Sequence, residues 1–221
     1  MNAIDGMACA KPGCDNRGNP GLTIVGHGSC ATQSGRRRRY RCTVCGGTLS
    51  PNTGTAYSGH RGARRACDQG ASRRVEGVSM SATARVTGHA RYTIARWIER
   101  TSTAAERCTR RMLRDVDIIA RQADECCTCI GSKRRTRWLL ATIAVCSRLW
   151  AGGVLGRRSP CHTRGADQLG GHVERLRCSY TFIRPHRALQ FGRETRTPAM
   201  QAGVVRAPMN WSDLFTAPAP L

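Results

Sequence analysis

The spacing of apolar positions changes along the chain, and each change predicts a different kind of element. Residues 9–57 show little helical periodicity and are rich in Gly, Pro, Asn and Thr, which predicts a loop-rich module with short strands. From residue 73 to residue 100 apolar side chains recur at the spacing of short amphipathic helices. Gly88 interrupts that pattern where a turn between two helices is expected.

The second half of the chain alternates apolar runs with polar segments. Residues 101–111 continue as helix or linker. The apolar runs 116–120, 136–145 and 149–155 favour strands of a sheet over an isolated helix, with residues 138–145 compatible with either. A helical segment is predicted from residue 173 until Pro185 stops it. The fold class is therefore α+β, in four parts: a loop-rich module (1–57), a region of short helices (58–110), an α/β part (111–205) and a Pro- and Ala-rich tail (206–221).

Charge narrows the class of partner. The 221 residues carry a formal net charge of +22, which favours a polyanion, with nucleic acid ahead of an anionic membrane surface. Aromatic residues make up only 5%, so any single core is modest and a large compact enzyme is not expected. No apolar run reaches the roughly 20 residues that span a bilayer, and no membrane partner is expected.

Thirteen cysteines raise the question of disulfides or metal. Residues 1–10 lack the pattern of a secretory signal, so a reducing bacterial cytoplasm is expected, where paired cysteines indicate metal. Cys9 with Cys14, and Cys42 with Cys45 followed by two glycines, have the arrangement of a structural zinc ribbon, which is favoured over free thiols. His27 and Cys30 lie between the pairs as substitute ligands, although loop positions are favoured for them.

Two segments are candidates for DNA contact. The run Arg36, Arg37, Arg38 and Arg39, followed by Arg41, is either a solvated hairpin or a phosphate-binding surface, and phosphate contact is favoured because adjacent like charges repel one another.

Residues 75–97 are the second segment. Ser79 can cap a first helix, and Gly88 permits the turn into a second. The early turns of the second helix carry the residues expected to meet bases and phosphates: Arg91, Tyr92, Thr93 and Arg96. The alternative is an ordinary helical hairpin with Trp97 and Ile98 in its core; the net charge favours DNA binding.

One acidic motif has the chemistry of a metal site. Asp124, in Gln-Ala-Asp-Glu after an apolar segment, could bind Mg²⁺ for phosphoryl transfer, although most such pairs are surface charge.

These segments, in order, resemble the transposases of the insertion-sequence-one family. Residues 9–55 resemble their zinc ribbon, residues 76–100 their helix-turn-helix and residues 122–133 the start of their DDE catalytic domain. The resemblance continues through residues 146–150 and 156–159. Its most specific motifs are Tyr-Thr-Phe-Ile-Arg-Pro-His-Arg-Ala-Leu (180–189) and Arg-Thr-Pro-Ala-Met-Gln-Ala-Gly (196–203).

The resemblance implies that residues 1–57 are a zinc-ribbon-like module, residues 58–110 a helix-turn-helix region and residues 111–205 a truncated ribonuclease-H-like α/β domain. In that fold three acids hold two Mg²⁺ ions for DNA strand transfer at the ends of the element. Asp124 occupies the place of the first acid. No Thr-Ser-Asp-Gly motif supplies the second, and between Arg158 and His172 only a short segment replaces a much longer one. Glu174 resembles the catalytic Glu of a Glu-Arg pair, but its spacing to Tyr180 places it in the last helix. Because one carboxylate cannot hold two metal ions about 4 Å apart, catalysis is expected to be defective.

Three functions remain open from the sequence. The first is a transposase with defective catalysis that binds double-stranded DNA at the inverted repeats of its own element, as one copy or as a homo-oligomer, in the nucleoid. The second is a non-enzymatic DNA-binding remnant or repressor of intact copies. The third, a nonspecific basic protein, follows from charge alone.

Overall fold

A computed structural model describes residues 7–19, 23–32, 35–60, 62–129, 134, 136–156 and 164–216, with only the backbone described over 164–168. The described elements mix helices and strands, which confirms the α+β class at that level. Residues 157–163, in the segment where the family resemblance implies a shortening, lie outside the described residues.

The first third is a small antiparallel sheet followed by helices. Strands β1 (Ile24–Thr32), β2 (Gly35–Cys42) and β3 (Thr48–Leu49) lie in the order β1-β2-β3. Three helices follow: α1 (Arg64–Val75), α2 (Met80–Thr87) and α3 (Arg91–Met112). The predicted continuation of helix over residues 101–111 is confirmed, because it forms the second half of α3.

A second antiparallel sheet and several helices complete the chain. Strands β4 (Arg121–Cys129), β5 (Thr136–Ala144) and β6 (Trp150–Gly156) lie in the order β4-β5-β6. Helix α4 (Arg164–Cys178) continues as a π-helical turn (Ser179–Ile183), as predicted for a helix that stops before Pro185. The remaining elements are a 3₁₀ turn (Arg187–Leu189), strands β7 (Gln190–Phe191) and β8 (Glu194–Thr195), and helices α5 (Pro198–Gln201) and α6 (Trp211–Thr216).

The predicted strand over residues 116–120 is wrong. That segment is irregular, and the strand lies next to it, in β4. All nine residues of β4 are exposed, so the strand has no buried apolar face that a sequence pattern could indicate. It forms because its backbone pairs with β5, from Arg121 opposite Ala144 to Cys129 opposite Thr136. The other two predicted strands are confirmed as β5 and β6.

One hydrophobic core joins the helices to the second sheet. It contains Trp97 from α3, Ala144 and Leu149 from the β5–β6 hairpin, and Phe182 from the π-helical turn. Residues of the predicted 58–110 and 111–205 parts thus share this core.

The segment predicted as a tail contributes to the same core. Helix α6 buries Trp211, Leu214 and Phe215, and the Phe215 ring packs edge-on against Tyr57 with centroids 6.1 Å apart. The segment named as a tail thus packs into the core as far as Thr216, because burial of three large apolar side chains is favourable. Residues 217–221 lie outside the described residues.

Among the helices that the structure describes, none has the length and apolar character needed to cross a membrane.

Candidate zinc centre and nucleic-acid interface

Four cysteines from two separate turns meet at one end of the first sheet. Cys9 and Cys14 flank a turn before β1, Cys42 ends β2, and Cys45 lies in the turn that leads to β3. Their sulfur atoms all lie within 4.8 Å of one another. The Sγ atoms of Cys9 and Cys45 are 3.6 Å apart, and those of Cys14 and Cys42 are 3.9 Å apart. The predicted four-cysteine group is therefore confirmed.

This geometry fits a zinc ion. Tetrahedral zinc with Zn–S bonds of about 2.3 Å requires sulfur atoms about 3.8 Å apart, close to the two separations in the group. Cys9, Cys14 and Cys42 are buried and Cys45 is partly buried, as expected for a closed structural site. Cys9, Cys14, Cys42 and Cys45 would hold the ion. His27 and Cys30 lie on β1 instead of in a loop, and neither belongs to the group.

The turn after Cys42 explains why two glycines follow Cys45. Gly46 has a φ of +66°, and its N–H donates to Cys42 O at 2.9 Å. At Gly47 a Cβ atom would lie 3.2 Å from the Cys45 Sγ, so a side chain there would crowd the sulfur. The backbone N–H of Gly47 is the largest cause, ahead of the neighbouring cysteines, that lowers the pKa of Cys45 to about 7. The turn thus favours the thiolate form of a candidate metal ligand.

Burial makes the thiols of Cys14 and Cys9 weaker acids than usual, since it raises the pKa of Cys14 to about 12 and also raises the pKa of Cys9. Zinc binds the thiolate, so binding must displace these protons. Among the described residues of this module, the core has six buried members: Cys9, Cys14, Ile24, Tyr40, Cys42 and Leu49. Cores this small commonly depend on a structural metal, and the four cysteines could hold one.

The arginine run lies on β2, the strand that ends at Cys42 of the cysteine group. Arg36, Arg38 and Arg41 are exposed, while Arg37 and Arg39 are partly exposed. Arg37 donates from Nη1 to the carbonyl oxygen of His60 at 3.0 Å. The run is therefore part of the hairpin, not a loop, and most of its guanidinium groups face solvent.

The two-helix segment has the caps that its sequence predicted. The Ser79 hydroxyl accepts from the Ala82 N–H at 3.2 Å at the start of α2, and Gly88 ends α2 with a φ of +69°. Helix α3 then begins at Arg91 and runs for 22 residues. The cap at Ser79 and the turn at Gly88 are confirmed.

The first turns of α3 separate polar from apolar side chains. Arg91, Tyr92 and Arg96 are exposed and Thr93 is partly exposed, whereas Ile94 and Trp97 are buried. The guanidinium carbon of Arg96 lies 5.8 Å from the centre of the Tyr92 ring. Tyr92 is 72% exposed, which is a large aromatic surface without a partner among the described side chains other than Arg96.

One histidine connects the arginine run to α3. His60, whose carbonyl binds Arg37, packs its ring edge-on against Trp97 with centroids 4.9 Å apart. His89 contacts the same Trp97 ring at 4.8 Å. The two predicted DNA-contact sets are thus joined through His60 and Trp97.

Sequence reasoning missed a basic groove beside α3. A cleft of about 390 Å³ lies between residues 55–58 and this helix, and its charged lining consists of Arg96, Arg100 and Arg107 together with one acidic residue, Glu99. Arg100 also donates from Nη1 to the Ser58 carbonyl. The signal was present: arginines at i, i+4 and i+11 share one face of a helix.

The acidic residues do not form a magnesium site among the described side chains. Asp124 is exposed on the edge strand β4, and its Oδ1 accepts from the next backbone N–H, that of Glu125, at 2.8 Å. Glu174 lies on α4, 3.8 Å from Arg177, and burial raises its pKa. Neither belongs to a group of three potential metal ligands in the described part of the chain. One exposed carboxylate does not fit the predicted pair of Mg²⁺ ions.

No protein-family model, curated protein or solved structure matches this chain. The family resemblance, the ribonuclease-H-like domain and the DNA-binding role of α2 and α3 therefore stay predictions from sequence motifs.

Proposed function

We propose that this protein binds double-stranded DNA without cutting it, as a descendant of insertion-sequence-one transposases that recognises the ends of its own element. The observation that carries the proposal is the exposed, basic first turns of α3, joined through Trp97 and His60 to the arginine run beside the cysteine group. In this proposal α2 and α3 form a helix-turn-helix, with α3 as the recognition helix.

The electrostatics of α3 favour an anionic partner at its N-terminus. A helix begins with partial positive charge, so acidic residues usually occupy the first turn. The first turn of α3 contains none and begins with Arg91. Arg91 therefore opposes the helix dipole, and a DNA phosphate at this position would satisfy both the free backbone N–H groups and the side chain.

The arginine run offers a second set of contacts. Within the described residues, ion pairs to acidic side chains occur at Arg110, Arg177, Arg184 and Arg196, and none involves residues 36–41. Arginines without acidic partners gain most from neutralising phosphates, because each contact releases counterions from DNA. Together with α3 they would fix the register of the protein on a duplex.

The proposal does not include DNA strand transfer, because the carboxylates needed to bind two metal ions do not lie together among the described residues. The family resemblance supports descent from a DDE enzyme, while the exposed position of Asp124 supports loss of the two-metal site. A protein that occupies the ends without cutting them would act as a repressor of intact copies.

Replacing both Arg91 and Arg96 with Ala is expected to weaken binding to a duplex and flatten its salt dependence. If each contacts one phosphate, the slope of log K against log salt concentration loses about 1.8 in magnitude, since each phosphate contributes about 0.9. Fluorescence anisotropy at several salt concentrations measures this slope. Arg110→Ala is the matched control, because Arg110 lies near the other end of α3 and pairs with Glu106 at 2.7 Å. Equal slopes for the double variant and the control would contradict the proposed contact.

Asp124→Asn is expected to leave DNA affinity within about twofold of the parent, because this carboxylate contacts no basic residue of α3 or β2 in the described structure and a neutral amide keeps its shape. Affinity for labelled duplex is measured in the presence of Mg²⁺, and the same samples are examined for cleaved DNA. Mg²⁺-dependent cleavage that disappears in Asp124→Asn would refute the loss of catalysis.

A further inference from the structure

The second sheet begins with a long edge strand, β4, which among the described strands pairs only with β5. All nine of its residues, on both faces of the sheet, are exposed. The opposite edge of the sheet differs, because Arg177 of α4 donates to the carbonyl oxygens of Trp150 and Ala151 in β6. Strand β4 contains neither the proline nor the bulge that often protects an exposed edge. It can therefore accept another strand.

The hydrogen bonds between β4 and β5 determine which backbone groups of β4 face outward. The Val145 N–H donates to the carbonyl oxygen of Ala120, the residue before β4, at 3.0 Å. Bonding alternates along an antiparallel ladder, so the even-numbered residues of β4 bond to β5 and the odd-numbered residues direct their N–H and C=O groups away from it. The Glu125 N–H agrees with this alternation, since it donates to the Asp124 side chain at 2.8 Å. The outward-facing backbone groups thus belong to residues 121, 123, 125, 127 and 129.

A second copy of β4 has matching charges when the two strands run antiparallel around Ala123. The twofold axis must pass through a residue, because only then do outward-facing residues lie opposite outward-facing ones. With the axis at Ala123, Arg121 of each copy lies opposite Glu125 of the other. Gln122 lies opposite Asp124 in the same way, which places an amide donor opposite a carboxylate. Unlike charges directly opposite one another stabilise an antiparallel pair.

The neighbouring registers lack this match. An axis at Asp124 or at Glu125 places two identical carboxylates opposite each other, and like charges in that position are destabilising. An axis at Gln122 or at Cys126 forms no pair of opposite charges. The charge pattern of β4 therefore favours the register centred on Ala123.

We propose that two copies of this protein associate by pairing their β4 strands antiparallel around Ala123, which joins two three-stranded sheets into one of six strands. Residues 121, 123 and 125 exchange backbone hydrogen bonds with the second copy, and two Arg121–Glu125 ion pairs select the register. The same register places Ile119, which is 96% exposed, opposite Cys127 of the second copy, so that an apolar side chain at the surface becomes covered. This interface does not rest on the proposed DNA binding.

Analytical ultracentrifugation of the full chain over a concentration series, without DNA, tests the association. The pairing uses the free edge of each copy, so we expect a reversible equilibrium between monomer and dimer that stops at two chains. A chain that stays monomeric at about 100 μM, where an interface with a micromolar Kd is saturated, would overturn the proposal. The Arg91→Ala/Arg96→Ala variant should dimerise like the parent, which keeps the outcome separate from DNA binding.

Charge reversal tests the register. Arg121→Glu and Glu125→Arg each place like charges opposite one another at both ion pairs, so each is expected to raise the Kd of the dimer at least about tenfold. A mixture of these two variants restores both pairs of opposite charges and should associate as tightly as the parent. Arg193→Glu, which changes an exposed arginine between β7 and β8, is the control for net charge and should leave the Kd within about twofold. Equal effects of all three variants, or no recovery in the mixture, would contradict the proposal.

Ala123→Pro tests the backbone contact. The Ala123 N–H faces away from β5, so a proline at this position removes no hydrogen bond from the β4–β5 ladder but blocks the second strand. We expect a monomer with the parent's urea midpoint, measured where the parent is also monomeric. Gln122→Pro removes a bond to β5 and should lower that midpoint. Dimerisation of Ala123→Pro as tight as that of the parent would overturn the proposal.

Discussion

Replacing Cys42 with Ser is expected to abolish zinc binding and unfold the module around the cysteine group. Cys42 is fully buried, and its sulfur is one of four within 4.8 Å of one another. In small zinc domains the metal contributes roughly 10–16 kcal/mol of apparent binding free energy, which is also folding free energy. Six buried residues cannot replace a contribution of that size. Metal content per chain and protease resistance of residues 7–49 are the two quantities to measure.

The matched control for this experiment is Cys126→Ser. Cys126 is an exposed cysteine of β4 and lies outside the four-cysteine group. It should keep one zinc per chain and the parent's protease resistance. A Cys42→Ser protein that also keeps one tightly bound zinc would show that the four sulfurs are not the ligands.

Trp97→Ala is expected to lower the free energy of unfolding by about 3–5 kcal/mol. The Trp97 ring is 6% exposed, contacts His60 and His89, and lies against α1 at Gly70, where a Cβ would be 3.6 Å from the ring atom Cε3. Truncation leaves a cavity between three elements and also removes the contact that joins the arginine run to α3. Urea denaturation measures the loss as a lower midpoint with an unchanged m-value.

Val86→Ala provides the comparison. Val86 lies on α2 and is 64% exposed, so its truncation should change the free energy of unfolding by no more than about 0.5 kcal/mol. If the two substitutions destabilised the protein equally, Trp97 would not be the contact that holds α3 in place.

The sequence predicted those turns and helix ends that are determined by residues close to them in the chain. Cys42, Cys45 and the two glycines that follow lie within six residues and predicted the turn that brings the two sulfurs together. Ser79 predicted the start of α2, and Gly88 predicted its end. Such signals are readable because each cause and its effect lie close together in the chain.

The missed elements depend on distant partners. Helix α1 buries only Cys67, Gly70 and Ala71, small residues that make no apolar stripe, and it is positioned by Trp97 from α3. Strand β4 has no buried face at all and is defined by its pairing with β5. The packing of α1 against Trp97 produces no hydrophobic pattern within α1, and the pairing of β4 with β5 produces none within β4.

The candidate sites follow the same division. The four cysteines form pairs in sequence and were predictable, and the arginines of α3 share one face of a helix. The link from the arginine run to α3 depends on His60 and Trp97, which lie far apart in the chain, so no local pattern predicted it.

The affinity of the zinc-loaded protein for two duplexes tests the account most directly. One carries a sequence recovered by selection from a random library or from the nucleotides flanking the gene, and the other carries the same bases scrambled. At one fixed salt concentration we predict a preference of about 10³-fold or more for the recovered sequence, which Cys42→Ser eliminates. Equal affinity for both duplexes, with or without zinc, would contradict sequence-specific DNA binding and leave only a nonspecific basic protein.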